Sequence, residues 1–296
     1  MADDAVAIFG LGAMGSGMAG ALLRAGLTTY GFDINASAVA QFEAKGGAKG
    51  SIEDAAASLA AVVIVVVNAA QTEAVLFGPD GVAAKLVQGT AVIACATMAP
   101  DIAKDFAKRC DDLGLHYLDA PVSGGTIKAG EGTLSFLAAG SDAAFAKARP
   151  ALDAMAAQVF ELGPEVGAGS SMKAVNQMLV GIQIAAMAEA MTFGMTQGVE
   201  PAQFLEVIRQ CAGTSWALES RAPHVIAGDY TPLSAVDIWP KDLGIVLDIA
   251  KGAKFGAPLT AAALQQYLAA SGSGLGGEDD AAVAKVYARN SGLTLP

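Results

Sequence analysis

The chain has 296 residues, enough for about two domains at roughly 150 residues each. With 53% hydrophobic and 16% charged residues it excludes intrinsic disorder as its main state. Lys plus Arg is 18 and Asp plus Glu is 29, a formal net charge of −11 with no basic run, which speaks against a phosphate-backbone binder and so against a nucleic-acid partner. The 35 glycines show no collagen-like period and point to tight turns and close-packed sites.

The three cysteines, Cys95, Cys110 and Cys211, are odd in number and lack CxxC spacing, so neither a disulfide framework nor a structural zinc site is expected. His116 and His224 lie too far apart for a local metal motif. No metal is expected, and a reduced, cytoplasmic compartment follows. Ala5–Leu23 carries no charge, but its five glycines and the preceding Asp3 and Asp4 fit neither a membrane span nor a signal peptide. No membrane partner is expected.

In chain order, Ala5–Gly10 reads as a buried strand and Ser16–Ala25 as a helix. Leu27–Asp33 is a second strand and Ala36–Lys45 a second helix. Ala61–Asn68 (AVVIVVVN) is the clearest strand, followed by Thr90–Thr97 and His116–Pro121. Such Val/Ile runs alternating with helices indicate a parallel sheet covered on both faces. Leu134–Gly140 and Gln158–Gly163 read as later strands extending that sheet. After Gly163 the period becomes helical. Ser171–Gln197 reads as one long helix whose Ala174–Ala188 section carries no charge. Further helices are expected over Pro201–Cys211, Pro240–Ala253 and Pro258–Ala270, each opening on a first-turn proline. Ser271–Gly277 reads as a flexible loop. The fold class is therefore α/β: a Rossmann dinucleotide-binding domain over 1–165, and an all-α domain over 166–296 joined by a long interdomain helix. No repeat is present.

Gly10-Leu11-Gly12-Ala13-Met14-Gly15 matches GxGxxG where the first strand meets the first helix, as the dinucleotide fingerprint requires. Gly10 allows a tight turn, Gly12 lets the backbone approach a pyrophosphate, and Gly15 lets helix and strand pack closely. The helix N-terminus offers free N–H groups to the anion. Asp33 ends the second strand, placed to accept from the adenosine ribose hydroxyls and to repel a 2′-phosphate. Ile34-Asn35-Ala36-Ser37 supply no cation to offset that repulsion, so NAD is favoured over NADP. A simple turn carboxylate is the alternative for Asp33.

Each histidine reads as a structural or surface residue, His224 in a loop after Pro223 and His116 at the start of a strand. Lys173, at the start of the long apolar helix, is the candidate proton carrier. Asn176 and Gln177, three and four residues on, project from the same face. A lysine beside apolar surface can have a lowered pKa, suiting acid/base work near neutrality. Spacing alone leaves open a lysine that merely extends off the helix end. Lys241 follows Pro240 in a helix's first turn, where a cation opposes the dipole. It therefore calls for an anionic neighbour, either cofactor or substrate carboxylate, or Asp242 or Asp237 at the surface.

Four ordered motifs carry a resemblance across the chain: Ile8–Gly15, Asp119-Ala120-Pro121-Val122-Ser123-Gly124-Gly125, Gly167–Gln177 and Lys241-Asp242-Leu243. The sequence resembles the β-hydroxyacid dehydrogenase family, which includes 3-hydroxyisobutyrate dehydrogenase and tartronate semialdehyde reductase. The resemblance implies NAD-dependent oxidation of a small hydroxy acid by a homo-oligomer, a dimer or tetramer. It implies that Ser123, Gly124 and Gly125 bind the substrate carboxylate, that Lys173 handles the hydroxyl proton, and that Asn176 and Gln177 position substrate. Cofactor contacts are implied for Gly10–Gly15, Asp33, Asn68, Thr97 and Lys241, although Ala96 stands where the family has serine beside Thr97. Asn68-Ala69-Ala70-Gln71, Gly26–Asn35 and Asn176–Glu189 are most similar to the L-threonate dehydrogenase branch. In this reading the two domains share the chemistry: the nucleotide loop and Ser123–Gly125 come from the first, Lys173 and Lys241 from the second.

Overall fold

The structure is a computed structural model that describes residues 5–296; Asp3 and Asp4 lie outside the described residues. The chain divides into two compact units, residues 1–173 and 174–296. The division falls inside the long helix, past the Pro164–Gly169 segment where composition places the boundary.

The first unit runs β1 (Ala5–Phe9), α1 (Ala13–Arg24), β2 (Thr29–Phe32), α2 (Ala36–Ala44), a single-turn α3 (Ile52–Ala55), β3 (Leu59–Ile64), α4 (Ala69–Phe77), β4 (Ala91–Ala94), α5 (Pro100–Asp111) and β5 (His116–Asp119). The five strands form one parallel sheet in the order β2-β1-β3-β4-β5. All six residues of β3 are buried. Side chains alternate between two cores: Val6 and Ile8 pack with Met18, Leu22 and Leu118, while Ala5 and Ala7 share a cluster with Val62, Ile64 and Tyr117. Both faces of the sheet are thus covered, as a parallel sheet requires. The chain leaves β1 for β2 on one side and returns to β3 on the other, so a topological switch point lies beyond the carboxyl ends of β1 and β3. The uncharged Ala5–Leu23 segment is accordingly β1 and α1.

The expectation that the later strands extend this sheet is corrected. β6 (Val122–Ser123), α6 (Gly125–Glu131), β7 (Leu134–Ala138), α7 (Asp142–Met155) and β8 (Ala156–Glu161) build a separate three-stranded sheet, β6-β7-β8. Pro121 has no N–H to donate to a ladder. The strand ends at Asp119, and the chain re-pairs antiparallel to β7, Val122 opposite Phe136. An antiparallel bridge, Asp119 to Ala139, links the two sheets.

Helix α8 (Ala168–Thr196) begins in the first unit and continues into the second. Among the described residues it is the one helix long and apolar enough to cross a membrane. Its Ile184, Met187, Ala188 and Met191 instead lie in the core of the second unit, with Phe204, Leu218, Trp239, Leu243 and Tyr267. That core is built from α9 (Pro201–Ile208), α10 (Trp216–Ala227), α11 (Ile238–Gly252), α12 (Pro258–Ala270) and α13 (Val283–Asn290). The Ser215 hydroxyl caps α10 and Gly228 ends it in the left-handed region. His224 therefore lies inside a helix that tolerates Pro223, not in a loop, and its Nδ1 sits 2.9 Å from the Asp229 carbonyl oxygen. The Ser271–Gly277 loop winds as a further helical turn over Ser271–Leu275, broken at Gly274.

Candidate active site

The glycine loop closes β1 and opens α1. Gly10 has φ +96°, and a Cβ there would stand 2.4 Å from the Val65 carbonyl oxygen. A Cβ on Gly15 would stand 1.8 Å from the Gly10 oxygen, so the helix seats directly on the turn. A Cβ on Gly12 would meet nothing within 4 Å; it faces open space where a phosphate can approach backbone. Asp33 reaches back to this loop: Leu11 N donates to its Oδ2 at 2.6 Å, and Asn35 N to its Oδ1 at 2.8 Å. A carboxylate offers about four acceptor positions, so both oxygens keep capacity for hydroxyl donors. Ile34 beside it is fully exposed. These residues fit a dinucleotide.

Asn68 and Thr97 sit differently from their expected strand ends. β3 stops at Ile64 and β4 at Ala94. Asn68 is the N-cap of α4: its Oδ1 accepts from Gln71 N at 2.9 Å, while Gln71 Oε1 accepts from Val67 N at 2.8 Å. The Asn-x-x-Gln spacing is a capping pair readable from sequence. Half-buried Thr97 lies in the loop between β4 and α5.

Ser123-Gly124-Gly125 forms the junction of β6 and α6, with Gly124 as an N-cap that carries no side-chain cap. Both glycines have positive φ, +133° and +73°. The buried Lys173 comes to the same segment, donating from Nζ to the Val122 carbonyl oxygen at 2.8 Å. Asp119, missed in the sequence except as a motif letter, is buried at the end of β5. Its Oδ2 accepts from Ser170 N at 2.8 Å and Gly167 N at 3.0 Å, and its Oδ1 accepts from Ser170 Oγ at 2.7 Å. Burial pushes this carboxyl above the usual carboxylate range, while the Ser170 and Gly167 bonds pull it back down.

The second unit holds its own chain of polar contacts. Asn176 Nδ2 donates to Gln177 Oε1 at 3.0 Å, Gln177 Nε2 to Asp242 Oδ2 at 2.5 Å, and Lys241 Nζ lies 2.9 Å from Asp242 Oδ1. The anionic neighbour that Lys241 calls for is thus supplied at least in part by Asp242, which is only 2% exposed.

A glycine fingerprint at a parallel-sheet switch point, with a buried lysine held beside a small-residue turn, defines an oxidoreductase of the dinucleotide-binding class. Residues 5–163 match the family described as the NAD binding domain of 6-phosphogluconate dehydrogenase. Residues 167–287 match the NAD-binding domain of NADP-dependent 3-hydroxyisobutyrate dehydrogenase. The chain belongs to the β-hydroxyacid dehydrogenases, the 3-hydroxyisobutyrate dehydrogenase family, and is an NAD-binding enzyme. It is 46% identical to L-threonate dehydrogenase of Cupriavidus necator, over 98% of this chain and 97% of that protein. It is 38% identical to 3-hydroxyisobutyrate dehydrogenase of Pseudomonas aeruginosa, over 87% and 89%. Among solved structures, a 3-hydroxyisobutyrate dehydrogenase of Salmonella typhimurium superposes with a TM-score of 0.88 at 46% identity, covering 95% of this chain and 99% of that one.

Proposed function

We propose that the enzyme oxidises L-threonate at C2 to 2-oxotetronate with NAD. The observation that carries this reading is the 46% identity to the Cupriavidus L-threonate dehydrogenase over 98% of the chain. NAD, when bound, supplies the acceptor for the hydride that leaves the carbinol carbon. Gly10–Gly15 would hold its pyrophosphate, with Asp33 on the ribose; Asn68, Thr97 and Lys241 are further proposed contacts. Preference for NAD over NADP rests on the Asp33 carboxylate and the absence of Lys or Arg in the four residues after it.

The substrate carboxylate is assigned to Ser123, Gly124 and Gly125, where small residues leave backbone N–H groups unobstructed. Neutral Lys173 has two N–H groups and one lone pair. With one N–H held by the Val122 carbonyl, the lone pair takes the substrate hydroxyl proton. In the reverse direction the ammonium returns that proton to the new alkoxide. Asn176 and Gln177 would hold the remaining hydroxyl groups.

A second reading, 3-hydroxyisobutyrate as substrate, is favoured by the Salmonella structure at the same 46% identity. NADH formation, followed by absorbance across L-threonate, 3-hydroxyisobutyrate, glycerate and L-serine with NAD and NADP, decides it. Turnover of 3-hydroxyisobutyrate without turnover of L-threonate would overturn the first reading. We further propose a cytoplasmic homo-oligomer. The support for assembly is the exposed apolar side chains of α8, Val175, Leu179 and Phe193; a monomeric mass by light scattering would refute it.

A further inference from the structure

We infer that Asp119 is a positioning residue for Lys173, setting the height and rotation of the first turn of α8 so that the lysine amine meets the Ser123–Gly125 turn. The inference rests on Lys173 being the acid/base.

Two contacts carry it. Asp119 receives Ser170, and the Val122 carbonyl receives Lys173. Both pairs are separated by 51 residues, and both arms are three residues long. The strand segment and the helix turn therefore meet in a fixed register. A helix that slips or rotates must break both contacts together. Asp119 grips the turn with three bonds from Gly167 N, Ser170 N and Ser170 Oγ, replacing the local cap that α8 would otherwise need. Val122 is itself fixed by its pairing with Phe136.

Steric fit agrees with the bonds. A Cβ on Gly169 would lie 2.4 Å from the carbonyl oxygens of both Asp119 and Leu137, so the first turn of the helix is seated on the strand ends. On the helix, Ser170 and Lys173 stand at i and i+3, on one face. Anything that holds the Ser170 side chain also holds the Lys173 side chain one turn on. The buried carboxyl is costly to keep, and helix capping by a nearby Ser or Asp would cost less. What a distant carboxylate adds is register between the carboxylate-binding turn and the proton carrier.

The test compares Asp119→Ala, Asp119→Asn and Ser170→Ala with the parent enzyme, using L-threonate and NAD. Two readouts are taken beside kcat: NADH affinity by fluorescence, and acetic anhydride labelling of Lys173 relative to exposed Lys108. An Asn at this position can accept both N–H bonds on Oδ1 and donate from Nδ2 to the Ser170 hydroxyl. Misplacement by about 1 Å costs on the order of 10²-fold. Asp119→Ala should therefore lower kcat by about tenfold or more, with KM for the acid and NADH affinity little changed. Ser170→Ala should lower it less, and Asp119→Asn should restore most of it. Lys173 labelling should rise in the Ala variants and stay low in the Asn variant. If Asp119→Ala does not fold, Ser170→Ala and Asp119→Asn decide the matter. Unchanged kcat and unchanged Lys173 labelling in Ser170→Ala would overturn the inference. So would an Asp119→Asn variant that folds and is as impaired as a variant lacking Lys173. Lys173→Ala run beside them separates the two ideas: if it keeps its kcat, the acid/base reading fails, while labelling still reports whether Asp119 fixes the lysine.

Discussion

Gln177 Nε2 donates to Asp242 Oδ2 at 2.5 Å, which joins α8 to α11 within the second unit and turns the Gln177 carboxamide so that Oε1 receives Asn176. Asp242 uses its other oxygen for Lys241. One buried carboxylate thereby orients three side chains that the family motifs single out. Asp242→Ala should leave both the amide and the ammonium without this partner. Hydrogen bonds to charged groups contribute about 1.5–3 kcal/mol, so KM for the hydroxy acid should rise by roughly 10–100-fold. Steady-state kinetics with the hydroxy acid varied at saturating NAD checks it; an unaltered KM in a folded variant would reduce Asp242 to a structural pair for Lys241.

Lys173→Ala should suppress the chemical step and spare the nucleotide site, because the glycine loop is held by Asp33 through Leu11 N while Lys173 is held at the Val122 carbonyl. General acid–base groups contribute on the order of 10²–10⁴-fold, and a kcat loss in that range is expected. Lys173→Arg should also be poor. A guanidinium can still donate to the Val122 carbonyl, yet it has no lone pair to give near neutral pH. NADH binding by fluorescence together with turnover separates the two effects; near-normal kcat in either variant would remove Lys173 from proton transfer.

Asp33 carries two loads, a proposed ribose contact and an observed bond to Leu11 N in the glycine loop. Asp33→Ser with Asn35→Arg should raise kcat/KM for NADP relative to NAD, by removing the phosphate repulsion and adding a cation. It should not reach the parent's NAD efficiency. The loop loses its anchor, and α2 loses the Asn35 cap on Ser37 N, a change that costs about 1 kcal/mol. The ratio of the two kcat/KM values is the measurement. A parent enzyme already indifferent to the 2′-phosphate would show that Asp33 serves the turn alone.

Much of the first unit was legible because its signals are local. The Val/Ile run of β3 is buried on both faces, and the glycines of Gly10–Gly15 each meet the steric demand their spacing implies. Sequence also gave Lys173 and Gln177 one helix face. What escaped was non-local. Asp119 and Ser170 are 51 residues apart, and Gln177 and Asp242 are 65 apart; no periodicity links them. The second sheet escaped because β7 and β8 have the composition of sheet-extending strands, and only Pro121, by ending β5, marks the break. Asn68 shows a missed local signal, since Asn-x-x-Gln before an apolar stretch is a cap pattern.

The turn at Gly124 and Gly125 allows stability and binding to be separated. Both residues have positive φ, so an alanine at either position is strained, by about 1–2 kcal/mol. Their surroundings differ. A Cβ on Gly124 would lie 2.8 Å from Lys128 Cδ and 3.3 Å from Leu134 Cδ2, so it points into the protein. A branched residue there would act through packing and strain. A Cβ on Gly125 would meet nothing within 4 Å and projects into open space. Gly124→Ala should accordingly lower the melting temperature more than Gly125→Ala does. Gly125→Ala should raise KM for the hydroxy acid more strongly relative to its loss of stability, because its methyl group enters the space assigned to the carboxylate. Thermal melts and initial rates on the two variants give the comparison. If Gly125→Ala melts lower yet keeps its KM, the carboxylate binds elsewhere than at Ser123-Gly124-Gly125.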